Sequence, residues 1–235
     1  AMVTNGVRNI VFSSSCATYG IPQAIPIRET QPQIPISPYG NTKLTGERSI
    51  KDYAVGHGMR YALLRYFNAA GADPDGEAWE HHDPETHLIP LAIRATCGGE
   101  HLKILGDDYP TDDGTCVRDY VHVCDLADAH VQAVRRLIGG GDSFACNLGA
   151  GTGVSVRQVI DMVEEVTGTM VAYEIGQRRI GDPPEAVAAS DVAREILDWT
   201  PIRSNLRRIV EDAVRVAART GYGVGERLSA NDRRY

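Results

Sequence analysis

Two short apolar segments on either side of an amphipathic one constrain the fold of this chain more than any other feature. Residues 9–12 and 60–66 are apolar enough for buried strands, and residues 39–54 carry apolar side chains at helical spacing. A strand, a helix and a second strand in this order form the repeating unit of a parallel sheet. We therefore predict an α/β fold built on a parallel sheet.

The same alternation continues along the rest of the 235 residues. Strands are predicted at residues 102–105 and 144–148, helices at 90–97, at 125–137, from Ser155 and from Ser204, and loops at 20–38 and 71–87. Ser155 and Gln158 have the spacing of a capping box, in which each side chain accepts a hydrogen bond from a backbone N–H at the start of a helix.

Composition excludes several classes of function. The net charge is -7 and the basic residues are scattered, whereas nucleic-acid-binding proteins carry a basic stripe. No apolar run approaches the length of a membrane span. The 5 cysteines are widely spaced, which argues against a disulfide framework or a structural zinc site. We expect a cytoplasmic protein that binds neither nucleic acid nor membrane and holds any anionic ligand with a few arginines.

Tyr39 and Lys43 lie four residues apart in a predicted helix, so their side chains share one face. A free phenol titrates near pH ~10, and a nearby ammonium favours the phenolate, as would a positive nicotinamide ring. Ser15 stands at the carboxyl end of a predicted strand, where open α/β sheets bind their ligands. Together the three residues predict a proton-transfer centre that interconverts an alcohol and a carbonyl group. A packed Tyr39, a solvated Lys43 and a strand-end hydrogen bond of Ser15 are the alternative interpretation.

Six sequence blocks are more specific together than any single motif. They are residues 12–20 (FSSSCATYG), 37–43 (SPYGNTK), 64–68 (LRYFN), 86–90 (THLIP), 106–120 (GDDY through RDY) and 178–182 (RRIGD). In this order they resemble the UDP-glucose 4-epimerase family of extended short-chain dehydrogenase/reductases, and the similarity reaches about Ala217.

The resemblance implies a fold and a division into domains. The fold would be the C-terminal part of a doubly wound parallel (Rossmann-type) sheet plus a smaller α/β substrate domain. Residues 1–69 would be the remaining part of the dinucleotide-binding domain, with the Ser/Tyr/Lys catalytic residues. Residues 70–235 would be the UDP-sugar domain, with about 119–150 packing back on the sheet.

The resemblance also implies NAD-dependent epimerisation at C4 of a UDP-sugar, UDP-glucose or UDP-galactose, through a 4-keto intermediate. Tyr39 would accept the proton of the 4-hydroxyl, Ser15 would relay it, and Lys43 would lower the pKa of Tyr39 and bind the nicotinamide ribose. The positions matching NAD contacts are Ser15, Tyr39, Lys43 and Phe67. Those matching contacts to UDP are Asn68, His87, Leu88, Lys103, Leu105, Arg118, Arg179 and Asp182.

The chemistry of the residues supports part of this assignment. Arg118 and Arg179 offer the rigid bidentate fork that suits a diphosphate, and a surface ion pair is the alternative for either. Asp182 can accept hydrogen bonds from ribose hydroxyls, with a Gly-Asp-Pro turn as the alternative.

Two related enzyme activities are distinguished from this one by the residues at a few positions. A nucleotide-sugar dehydratase needs an extra acid and base directly after the strand-end hydroxyl, where this chain has Cys16 and Ala17, so we do not expect elimination. Ala186 stands where narrow-specificity relatives tend to carry a bulky side chain. A UDP-pentose or UDP-N-acetylhexosamine 4-epimerase is therefore an open alternative.

The sequence lacks the glycine-rich strand-to-helix turn that binds the NAD pyrophosphate. Residues 149–153 come closest, but Val154 occupies the place of the third glycine, so they predict a tight turn. We expect the chain to lack the family's N-terminal NAD-binding portion and to bind NAD poorly, although the full-length parent would be a homodimer. A truncated, catalytically inactive UDP-sugar-binding fragment is the alternative function.

The predicted loop at 71–87 contains several residues that can bind metals. They are His81, His82, Asp83, Glu85 and His87. Their spacing is irregular, so we predict a solvated loop and no metal site.

Overall fold

The computed structural model of the chain describes residues 1–98 and 101–221. The strands are β1 (Asn9–Ser15), β2 (Arg60–Tyr66), β3 (Asn68–Ala70), β4 (Leu102–Leu105), β5 (Val117–His122), β6 (Phe144–Leu148), β7 (Gly153–Ser155), β8 (Tyr173–Gly176) and β9 (Glu185–Ala186). The helices are α1 (Pro38–His57), α2 (Leu88–Thr96), α3 (Val123–Ile138), α4 (Val156–Thr167), α5 (Asp191–Leu197) and α6 (Leu206–Thr220).

The central sheet has the strand order β1-β2-β6, and both pairings are parallel. The β1–β2 register runs from Asn9 opposite Arg60 to Ser15 opposite Tyr66. Helix α1 contacts β1 and β2, as does α3, and α5 contacts β6. This arrangement confirms the predicted α/β fold with a parallel sheet.

Two smaller sheets complete the fold. Strand β5 pairs with β3 and β9 in parallel and with β7 antiparallel, and β4 pairs with β8 in parallel. Helices α2, α4 and α6 share one apolar core with β4 and β5, whereas a second core lies between the central sheet, α3 and α5. Among the described residues, no helix combines the length and apolar character needed to cross a membrane. The part of the predicted UDP-sugar domain after residue 221 lies outside the described residues.

Several predicted boundaries agree with the structure and others shift for local reasons. The strands predicted at 60–66, 102–105 and 144–148 have these bounds. Strand β1 extends to Ser15 because its serines continue the ladder with β2. Helix α1 begins at Pro38, one residue earlier than predicted, because the Ser37 hydroxyl caps it by accepting a hydrogen bond from the Gly40 N–H.

A buried ion pair attaches α1 to the sheet. The Glu47 carboxylate accepts hydrogen bonds from Arg65 Nε at 2.8 Å and Nη2 at 2.7 Å, from the Ser14 hydroxyl at 2.5 Å and from Gln33 Nε2 at 3.0 Å. Burial by itself raises the pKa of Glu47, but the hydrogen bonds from Arg65 and Ser14 lower it overall. The carboxylate is therefore ionised and held by residues from two strands and a loop.

The network continues across the sheet to its third strand. Arg65 Nη1 donates a hydrogen bond to the Tyr19 hydroxyl at 2.9 Å, and this hydroxyl donates to Asn147 Oδ1 in β6 at 2.7 Å. Tyr19, Glu47 and Asn147 are all fully or almost fully buried. A single polar chain therefore links α1, β1, β2 and β6 beneath the carboxyl edge of the sheet.

Replacing Glu47 by glutamine is expected to lower the free energy of unfolding by about 3 kcal/mol or more, because it leaves the Arg65 guanidinium buried without a counter-charge. Urea unfolding followed by circular dichroism measures this loss. The control is Arg48→Gln, an exposed neighbour on the same helix, for which a change within about 0.5 kcal/mol is expected. A loss below about 1 kcal/mol for Glu47→Gln would contradict the central role of the pair.

Candidate active site

The carboxyl end of β1 and the first turn of α1 meet at one edge of the central sheet. Ser15 is the last residue of β1, and its hydroxyl accepts a hydrogen bond from the Ala17 N–H at 3.1 Å. Tyr39 is the second residue of α1 and is about half exposed. Gly40 permits this approach, since a side-chain carbon there would collide with the Ala17 carbonyl oxygen.

The structure brings the three predicted catalytic side chains together. The Ser15 hydroxyl lies near enough to the Tyr39 phenol to lower its pKa. Lys43 Nζ lies 5.5 Å from the centroid of the Tyr39 ring and 5.4 Å from that of the Phe12 ring. The same ammonium donates a hydrogen bond to the backbone carbonyl of Ser13 at 2.9 Å.

The expected lowering of the Tyr39 pKa by Lys43 is not found. Burial raises the pKa of Tyr39 above its usual value, and the Ser15 hydroxyl only partly offsets this rise. Lys43 faces the ring and the Ser13 carbonyl, so its charge is partly engaged away from the phenol oxygen. Within this chain Tyr39 is therefore a neutral phenol at pH 7.

A pocket of about 790 Å³ opens in front of the Ser15–Tyr39 pair. Phe67, Asn68 and His87 also line it, so five of the predicted site residues face one cavity. Phe67 is itself buried, whereas Asn68 begins β3 and His87 occupies the N-cap position of α2 without a side-chain capping hydrogen bond. Its volume is that of a site for a molecule as large as a nucleotide sugar.

Other predicted UDP contacts lie outside this pocket. Leu88 packs against the α2–α4–α6 core and lines a separate cavity of about 70 Å³, to which Asn68 and His87 also contribute. Lys103 and Leu105 belong to β4, and Arg179 is exposed before the Gly181 turn.

Arg118 and Asp182 bind each other. Arg118 Nη2 donates to Asp182 Oδ1 at 2.6 Å, and Nη1 donates to the Val117 carbonyl at 2.7 Å. Their side chains are only 13% and 24% exposed, so the pair is not an ordinary surface contact. Arg118 also lowers the pKa of Cys16 against the larger effect of burial, which places its charge close to the residue that follows Ser15.

Several residues beside these were not predicted from the sequence. Trp79, Glu80 and His82 line the large pocket, and a tryptophan in an otherwise polar loop was the available signal. Tyr109 is buried, and among the described residues its hydroxyl has no hydrogen-bond partner. The Arg178 guanidinium lies 4.3 Å from the centroid of the Tyr109 ring.

The backbone amides of the glycine-rich turn at 149–153 bind the carboxylate of Asp119 instead of a phosphate. The Asp119 carboxylate accepts hydrogen bonds from the backbone N–H groups of Ala150 at 2.7 Å, Gly151 at 3.0 Å and Ala188 at 3.0 Å. Burial raises the pKa of Asp119 to about 6 despite these bonds. Gly149 is required because any side-chain carbon there would collide with Asp119 and Ala188. The amides that a pyrophosphate would need are thus already occupied.

Ala186 lies in the core instead of at the pocket wall. It is 8% exposed and belongs to an apolar cluster with Tyr19, Ile27, Phe67 and Ala188. It is not among the residues that line the large pocket. Its small side chain therefore does not directly widen that pocket for larger sugars.

Comparison with known proteins identifies the relatives of this chain. Residues 1–149 match the family described as "NAD dependent epimerase/dehydratase family". A UDP-glucose 4-epimerase of Rhizobium meliloti (strain 1021) is 50% identical over 214 residues, which cover 91% of this chain and 65% of that protein. The chain thus spans about two thirds of the length of this curated relative.

Two solved structures are similar in fold as well as in sequence. The crystal structure of UDP-glucose 4-epimerase from Brucella ovis in complex with NAD has a TM-score of 0.88 and 49% identity, with 92% of this chain and 67% of that chain covered. A UDP-glucose-4-epimerase from Stenotrophomonas maltophila, with bound NAD and formylated UDP-arabinopyranose, has a TM-score of 0.89 and 37% identity, with 94% and 66% covered.

The phenol of Tyr39 is expected to titrate above pH 10 in the isolated chain, because burial raises its pKa more than the Ser15 hydroxyl lowers it. Carbon-13 NMR of protein labelled at the tyrosine ring carbon bearing oxygen measures the titration. Tyr39→Phe assigns the signal, and Tyr53→Phe, on the same helix, controls for the assignment. Titration of Tyr39 near neutral pH would show instead that the chain alone activates the phenol.

Proposed function

The chain belongs to the NAD dependent epimerase/dehydratase family, and from this premise we propose that it interconverts UDP-glucose and UDP-galactose by epimerisation at C4 through a 4-keto intermediate. The observation that carries the proposal is that the hydroxyls of Ser15 and Tyr39 line one pocket, with Lys43 against the tyrosine ring. A hydroxyl pair of this kind suits proton exchange with a sugar alcohol.

The residues at this edge of the sheet fit the nicotinamide end of the cofactor. When bound, NAD+ supplies a hydride acceptor and a positively charged ring. Ser15, Tyr39 and Lys43 offer two hydroxyls and an ammonium as hydrogen-bonding groups, and Phe67 offers an apolar surface. The turn at 149–153 does not contribute, since its amides bind Asp119.

Tyr39 acts as the base in the proposed reaction. With the positive nicotinamide ring bound, Tyr39 would lose its own proton, and the resulting phenolate oxygen would take the proton of the sugar 4-hydroxyl, with the neighbouring Ser15 hydroxyl relaying it. Lys43 holds its ammonium against the tyrosine ring by its bond to the Ser13 carbonyl. Return of the proton to the product hydroxyl reverses the same path.

The UDP portion is proposed to bind along the substrate-side residues. Asn68 and His87 line the pocket, and Arg118 is oriented by its pair with Asp182 so that its charge favours the diphosphate. The remaining proposed contacts come from other elements. They are Leu88, Lys103, Leu105 and Arg179.

The residues after Ser15 favour epimerisation over elimination. Burial raises the pKa of the Cys16 thiol to about 11, so it is protonated and a poor base at pH 7. Ala17 has no ionisable group. Elimination of water would need an acid and a base at this position in addition to Tyr39.

We also propose a cytoplasmic location and a homodimeric state. All five cysteines are free thiols, which is the state that a reducing compartment maintains.

A coupled UDP-glucose dehydrogenase assay tests the function. It measures conversion of UDP-galactose to UDP-glucose in the presence of NAD+. Tyr39→Phe is expected to lower kcat by at least about 100-fold, because it removes the general base. Tyr173→Phe, a partly exposed tyrosine in β8, is the control and should retain activity. Rates on UDP-N-acetylgalactosamine and UDP-xylose determine the preferred sugar.

Binding without turnover would favour the alternative, a UDP-sugar-binding chain without catalysis. Isothermal titration with UDP distinguishes the two. Arg118→Met is expected to weaken UDP binding by about tenfold or more through loss of a charge-assisted hydrogen bond. NAD-independent conversion, or conversion unaffected by Tyr39→Phe, would refute the proposed mechanism.

A further inference from the structure

A second cluster of chemically active side chains lies on the loop between β3 and α2. Glu80, His82, Glu85 and His87 each bring one ligand atom to within 4.8 Å of all the others. The irregular spacing predicted a solvated loop here. Folding nevertheless gathers two imidazoles and two carboxylates at one point.

Both imidazoles present the same nitrogen to both carboxylates. His82 Nδ1 lies 3.1 Å from Glu80 Oε1 and 3.8 Å from Glu85 Oε1. His87 Nδ1 lies 3.3 Å from Glu85 Oε1 and also contacts Glu80 Oε1. The two rings stand 4.9 Å apart between centroids, inclined by 51°. The four donor atoms therefore converge.

These separations are close to those of a tetrahedral metal site. Ligands bonded at about 2.0–2.1 Å in tetrahedral geometry lie about 3.3 Å from one another. The separations of 3.1, 3.3 and 3.8 Å bracket that value, so small side-chain rotations suffice. Two nitrogen and two oxygen donors suit Zn²⁺, whereas Mg²⁺ and Ca²⁺ prefer oxygen donors throughout.

The burial and hydrogen bonds of Glu85 support a preformed metal site. The side chain of Glu85 is fully buried, and its Oε1 accepts hydrogen bonds from the backbone N–H groups of Thr86 at 2.7 Å and His87 at 2.9 Å. Such outer bonds fix the orientation of a ligating carboxylate. The side chains of His82 and His87 are about half exposed, which leaves a path for an ion to enter.

Charge balance is also met by a divalent cation at this point. Two carboxylates face two imidazoles, and the net charge is neutral either with two protonated histidines or with one dication and two neutral histidines. A dication satisfies all four groups at once, because each of them donates one electron pair to it.

We propose that Glu80, His82, Glu85 and His87 bind one Zn²⁺ ion at the wall of the large pocket. Glu80, His82 and His87 line that pocket together with Ser15 and Tyr39. The ion would therefore offset the negative charge of the two carboxylates at the wall of that cavity. It would also hold the loop preceding α2 in place.

The test uses the 235-residue chain without an affinity tag, first stripped with EDTA and then titrated with ZnCl₂ alone by isothermal calorimetry. We expect one ion per chain, proton release that varies with buffer because the imidazoles must be neutral to bind, and a higher Tm with Zn²⁺. Zinc X-ray absorption should show imidazole scattering. Since no nucleotide or cofactor is present, the result is independent of the proposed epimerase activity.

His82→Asn and Glu85→Gln should each weaken zinc binding at least tenfold. His82→Asn changes a half-exposed residue, so it keeps the test valid if the buried Glu85→Gln variant fails to fold. The matched control is His81→Asn, a neighbour in the same loop that lies outside the four-residue cluster. Absence of 1:1 binding up to millimolar zinc, an absorption spectrum without imidazole, or equal loss in His81→Asn would overturn the proposal.

Discussion

The ion pair between Glu47 and Arg65 is the contact on which the geometry of the proposed catalytic residues depends. An ionised carboxylate without solvent exposure is tolerated only when its hydrogen bonds are satisfied, and here Arg65, Ser14 and Gln33 supply them. Since Glu47 lies on α1 and Arg65 on β2, the pair fixes the helix on the sheet. Tyr39 and Lys43, on the same helix, are thereby held against the end of β1.

The three serines that end β1 have different roles. Two contact helices, and the third is proposed to take part in the reaction. Ser13 contacts His130 of α3 at 3.0 Å, and Ser14 donates to Glu47 of α1, so successive side chains bind helices on opposite faces of the sheet. Ser15, the last of the three, lines the same pocket as Tyr39. The hydroxyl proposed to relay the proton thus follows two structural hydroxyls in the same strand.

The sequence predicted what depends on local pattern. Strand β2 is an apolar run of ordinary length, and α1 carries apolar side chains at helical spacing, so both were predicted. Strands β7 and β9 have three and two residues, too few for a periodicity to be visible. Both strands pair with β5, which is far from them in the sequence.

Polar residues that are far apart in the sequence but adjacent in the structure could not be predicted, for the same reason. Arg118 and Asp182 were each predicted as a UDP contact, with no interaction between them. Although they lie 64 residues apart in the sequence, they form one ion pair. The cluster of Glu80, His82, Glu85 and His87 was dismissed because its spacing matches no regular element. Only the path of the loop, with Glu85 turned inward, brings these donors together.

Because the pKa of Tyr39 is raised, its protonation state depends on what else the pocket holds. Burial stabilises the neutral phenol, and Lys43 is partly engaged by the Ser13 carbonyl. Removal of the tyrosine proton therefore requires additional positive charge near the phenol. If that charge arrives with the ligands, the base becomes strong only in the filled site. A pocket arranged in this way would leave Tyr39 inactive towards water and active towards a bound sugar alcohol.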